Sequence, residues 1–196
     1  MQDAIATDEL QYMIPVRLGF VEAAWLRDDP EPAMPHLEAL WSMGAERMNQ
    51  WSAGDAAAWA RRLGIEGMEA PEAFTADSPA PYAAEIAGDP AGAAKQWLAL
   101  GAPYSAGLAW LQVEGEKAGE ALASAAKLFR RIEANAALAK TNRVAKALGV
   151  ANRLPRNRRG PYKAARNHPL GLTRREQDIL GLMVQGASNT EISEQL

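Results

Sequence analysis

Apolar positions recur at helical intervals along most of the chain. Leu122, Ala125, Ala126, Phe129 and Ile132 form one stripe, Leu138, Thr141, Ala145 and Leu148 a second, and Met48, Trp51, Trp59 and Leu63 a third. No window keeps the two-residue alternation of a half-buried strand. Composition agrees: 41 alanines stand against 18 valines, isoleucines and threonines, so helix formers dominate over strand formers. Asp29-Pro30 and Asp89-Pro90 each place a capping carboxylate before a proline, and Gly64, Gly101 and Gly149 follow apolar runs where a helix should end. The pattern predicts helices near 15–28, 32–44, 46–63, 90–100, 103–114, 117–133 and 135–148. Residues 66–82, with Pro71, Pro79 and Pro81, read as a loop.

Short helices joined by tight turns predict antiparallel hairpins stacked on one another. Trp97-x-x-Leu100-Gly101-x-x-Tyr104 matches the opening of a tetratricopeptide repeat. The small and aromatic positions due later in that repeat fall on Val113 and Lys117, and Pro103 would break its first helix. Gly101-Ala102-Pro103 is therefore expected to be a turn between two helices. The six tryptophans (Trp25, Trp41, Trp51, Trp59, Trp97, Trp110) are expected to pack in the core or between helices.

The net charge of -3 averages over segments of opposite sign. Residues 1–133 hold 10 basic and 20 acidic side chains, a net -10. Residues 134–175 hold 11 basic and no acidic ones, and residues 176–196 hold 4 acidic and no basic ones. Such asymmetry points to a polyanionic partner. Within the basic stretch, residues 150–170 read as a linker: Pro155, Gly160 and Pro161 interrupt it and apolar residues are few. The acidic body would hold this linker back from nucleic acid until a signal frees it.

Beyond the linker the sequence regains order. Thr173 followed by Glu176 is a capping box, Ile179, Leu180, Leu182 and Met183 form an apolar face, and Gly186 suits a helix end. Ser188 or Asn189 then starts a second short helix with Ile192 and Leu196 inward. Two helices around a glycine turn are half of a helix-turn-helix. Arg175 is expected to pair locally with Glu176 or Asp178.

Leu172-Thr173-x-Arg175-Glu176, Ile179-Leu180, Leu182, Gly186, Ser188-Asn189, Glu191-Ile192 and Leu196 resemble the opening of the LuxR-type DNA-binding domain of bacterial transcription regulators. More loosely, residues from about 90 onward resemble the end of the helical-repeat region in the large, MalT-like class. The resemblance implies a cytoplasmic bacterial regulator, dimeric on DNA, whose repeats sense a protein or small-molecule effector. It implies DNA contacts by Thr173, Ser188, Asn189 and Thr190, the last standing where the family often has lysine. Arg156, Arg158, Arg159 and Lys163 of the linker are expected to meet phosphates. In this family the next helix reads base edges. The sequence stops at Leu196, so a fragment lacking that helix is expected, with its apolar face unpaired and its tail weakly stable.

Other chemistries find little support. With no cysteine there is no disulfide, zinc finger or thiol nucleophile. His36 and His168 are isolated, so no metal site is expected, and no phosphate loop or nucleophile motif marks an enzyme or a nucleotide cofactor. Met1-Gln2-Asp3-Ala4 opens without the basic and apolar runs of a signal peptide, and no membrane span is expected. The expected architecture is all-α: a right-handed, tetratricopeptide-like hairpin array over 1–149, a basic linker over 150–170, and a partial helix-turn-helix over 171–196. A helical module for protein interaction or effector sensing, without DNA binding of its own, is the alternative.

Overall fold

A computed structural model describes residues 10–155 and 171–195, and every regular element among them is helical. The chain divides into two compact units after Pro155.

The first unit opens with α1 (Leu10–Leu26), a 3-10 turn (Glu31–Ala33), α2 (Met34–Met43) and α3 (Gln50–Leu63). Short helices α4 (Glu72–Thr75) and α5 (Ala80–Ile86) follow. Then come α6 (Pro90–Ala99), α7 (Pro103–Trp110), α8 (Ala118–Arg131) and α9 (Asn135–Ala147). From α5 to α9 each helix packs on the next, while α3 packs on α1, α4 and α5. Val21, Leu37, Leu40, Leu122 and Phe129, all 1% exposed or less, anchor the main core. Each contributes roughly 1.5–3 kcal/mol through burial.

Two expectations at helix starts change. The segment 66–82 is not all loop: Pro71 and Pro79 stand at the N-caps of α4 and α5, and Pro81 lies in the first turn of α5. A proline there loses only an amide that has no helical partner, so it opens a helix instead of breaking one. Asp29, in contrast, caps nothing, because Pro30 precedes the 3-10 turn without a side-chain cap. Asp89 does cap α6, accepting from the Gly92 amide at 2.8 Å.

The turn at Gly101-Ala102-Pro103 forms as expected. Gly101 adopts φ 71°, its amide donates to Leu98 O and that of Ala102 to Trp97 O, and Pro103 begins α7. This pair of bonds ends α6 and reverses the chain within three residues.

The body also closes on itself. Lys140 of α9 donates to the Trp25 carbonyl at 2.7 Å and to Asp28, with its ammonium 4.1 Å from the Trp25 ring centroid. Arg143 donates to Asp28 Oδ2 at 2.6 Å and to the Leu26 carbonyl. Two cations thus meet the carbonyl end of α1, where the helix dipole favours them. In a linear repeat array each unit touches only its neighbours; here α9 meets α1, the first helix among the described residues. The packed unit runs on past α9: Leu154 is buried and the Pro155 carbonyl accepts from Arg130 at 3.0 Å.

Candidate nucleic-acid interface

The second unit is described over residues 171–195 as α10 (Arg174–Val184) and α11 (Asn189–Gln195). Its local structure follows from side chains that satisfy the free amides of each helix start. Thr173 Oγ1 accepts from the Glu176 amide at 3.3 Å, and Glu176 Oε2 accepts from the Thr173 amide at 2.6 Å and from its hydroxyl at 2.8 Å. The predicted capping box is therefore complete.

The same device recurs at α11. Ser188 Oγ accepts from the Glu191 amide at 3.4 Å, and Glu191 Oε2 accepts from the Ser188 amide and hydroxyl, both at 2.7 Å. Of the two residues the sequence offered as the start of this helix, Ser188 is the cap and Asn189 the first helical residue. Glu191 was not singled out as a capping partner, although Ser188-x-x-Glu191 repeats the spacing of Thr173-x-x-Glu176. Between the helices, Gly186 takes φ 82°, its amide donates to Met183 O and that of Ala187 to Leu182 O. A side chain at residue 186 would oppose this left-handed conformation, so the turn depends on glycine.

These caps alter the electrostatics of both helix starts. The backbone and hydroxyl of Thr173 hold the Glu176 carboxyl below the usual range, and those of Ser188 do the same for Glu191, the hydroxyl foremost. Each helix N-terminus is thereby matched by an anion belonging to the chain itself. The Thr173 and Ser188 hydroxyls are committed to these carboxylates. Asn189 and Thr190 are exposed in the first turn of α11.

Arg174 and Arg175 are also exposed, and neither forms an ion pair among the described residues. The local pair expected for Arg175 does not form, since Oε2 of Glu176 is engaged by Thr173. Among the described residues, then, these two guanidiniums carry no ion pair beside Thr173. The linker cations Arg156, Arg158, Arg159 and Lys163, and His168, lie outside the described residues.

On the apolar side, no residue of α10 is buried: Ile179 and Leu182 are half-buried, and Leu180, Met183 and Val184 are exposed. Among the described residues of this unit the two short helices do not enclose a core. His36 of the first unit stacks on Phe20 at 4.6 Å between ring centroids. Among the described residues no three His, Asp or Glu side chains converge on a metal position, and no helix is long and apolar enough to cross a membrane.

Residues 170–196 match the family described as bacterial regulatory proteins, luxR family. The match covers 27 residues of 196 and coincides with the unit built on the two capping boxes. No curated protein and no solved structure matches the chain.

Proposed function

We propose that the protein is a LuxR-type transcription regulator rather than an enzyme, and that residues 156–195 hold it on the DNA backbone. The observation that carries this reading is the agreement of the luxR-family match with a two-helix unit capped at Thr173 and Ser188 and turned at Gly186. In this reading Asn189, Thr190 and the exposed Arg174 and Arg175 face phosphates, joined by Arg156, Arg158, Arg159 and Lys163. Thr173 and Ser188 contribute by fixing the helices. Phosphate contacts position a protein, and base contacts specify the sequence. The contacts proposed here are to phosphates and so sequence-independent, with a symmetric dimer on DNA as the natural assembly.

Anisotropy titration of the full chain with labelled duplex DNA over a range of salt tests this. Binding is expected to weaken with salt by about 0.9 log units per log unit for each phosphate neutralised. Replacing Arg156, Arg158, Arg159 and Lys163 together by alanine should weaken binding to all duplexes alike and flatten that slope. Absence of binding at low salt refutes the proposal. It would favour the alternative, an effector-sensing or protein-interaction module, for which the closed helical body with its acidic, aromatic-lined cleft provides the support.

A further inference from the structure

We propose that a cleft between α1, α3 and α5 binds an organic cation with an alkylammonium head. The cleft has a volume of about 350 Å³ and is walled by Glu22 of α1, Trp51, Asp55 and Trp59 of α3 and Tyr82 of α5, over Leu18. That volume lies in the range of small-ligand sites. The inference is independent of the DNA contact, because every one of these residues belongs to the first unit.

The charges around the cleft do not balance. Arg62 is the cation beside it, and it is already bound in two-fold fashion by Glu85, with Nε to Oε2 at 2.9 Å and Nη2 to Oε1 at 2.8 Å. Both side chains of that pair are 2% exposed. Glu22 and Asp55 form no ion pair among the described residues. Glu22 accepts a hydrogen bond from the Tyr104 hydroxyl. Burial pushes the Asp55 carboxyl up, with Glu85 and Glu22 adding to the effect and Arg62 and Tyr82 opposing it. Arg62 is held by Glu85, so Glu22 and Asp55 line the cleft without a paired cation among the described residues.

The walls specify what kind of charge. Trp25, Trp59 and Trp97 are buried, whereas Trp51 is 45% exposed at the rim. It stands edge-on to Tyr82 at 6.1 Å and tilted against Trp97 at 6.0 Å. One face of Trp59 is occupied by Arg62, 4.6 Å from its centroid, and Tyr82 is buried against Trp97, which leaves Trp51 as the exposed aromatic face of the cleft. Aromatic faces beside carboxylates favour a bulky, weakly hydrated cation. A divalent metal would need more oxygen ligands than the two carboxylates here supply, and an anion would meet their repulsion.

Calorimetric titration of the full chain with choline, and with its neutral carbon isostere dimethylbutanol, tests the assignment. Choline is expected to bind with a Kd in the millimolar range or tighter, and the isostere about tenfold more weakly. Asp55→Asn, which keeps the shape and removes the charge, should weaken choline about tenfold, and so should Trp51→Leu at the exposed rim. The second substitution keeps the test decisive if the first impairs folding. Absence of choline binding at about 100 mM, equal binding of the isostere, or unchanged affinity in the folded variants overturns the proposal.

Discussion

Replacing Glu85 by glutamine should strip the buried Arg62 guanidinium of its counter-charge while keeping the size and most of the hydrogen-bonding shape of the side chain. The Arg62 and Glu85 side chains are both buried, and Trp97 Nε1 donates to Glu85 Oε1 at 3.1 Å. Water therefore cannot take over the lost charge. Breaking a buried pair by removing one partner costs about 3–5 kcal/mol. Asp55 also acts electrostatically on Arg62 and compensates in part, which places the expected loss near 3 kcal/mol. A domain of ordinary stability retains only about 5–15 kcal/mol, so the effect is a large share of the total. Urea unfolding followed by tryptophan fluorescence measures it, and all six tryptophans lie in the first unit, so the signal reports that unit alone. Arg62→Met in the same background should recover much of the loss, since a paired replacement removes the stranded charge. A loss below about 1 kcal/mol, or a double variant no better than the single one, would refute the argument from an uncompensated buried charge.

Further outcomes follow from the packing and the caps. Gly107→Ala should destabilise by about 1–2 kcal/mol in the same urea assay, because its Cβ would lie 2.5 Å from Cε1 and Cζ of the fully buried Phe129. Gly19→Ala, with no atom within 4 Å of the new Cβ, should stabilise by about 0.5–1 kcal/mol. For Asp28, burial raises the carboxyl's pKa, but hydrogen bonds from Lys140 and Arg143 outweigh it, so the folded value is depressed. Its contribution is thus present above the ordinary carboxylate pKa and lost as pH falls through the folded value. Asp28→Asn, tolerated at φ 58°, should flatten the acid side of the stability curve. The depressed Glu176 and Glu191 carboxyls obey the same sign: the caps are lost as pH falls through their folded values, below the ordinary glutamate range, and amide exchange across 173–195 should quicken there. Glu191→Gln should reduce that pH dependence for α11, and strong exchange protection of this segment at neutral pH would contradict its lack of a buried core.

The sequence by itself determined the helical class, most helix positions and the chemistry of the second unit. These are local matters: apolar spacing marks a helix face, and Thr173-x-x-Glu176 and Gly186 act on amides within a few residues. The second capping box was equally legible at Ser188 and Glu191. Proline was ambiguous, since Pro79 and Pro81 break or begin a helix according to their place in its first turn, which depends on where the chain goes next. Only the tertiary structure decided the rest. It joined Lys140 and Arg143 to the end of α1 across more than a hundred residues, sealed Arg62 against Glu85, and set Glu22, Asp55, Trp51 and Tyr82 around one cleft. No periodicity encodes such meetings, because a helix face tells which side is buried but not which distant charge will be buried with it.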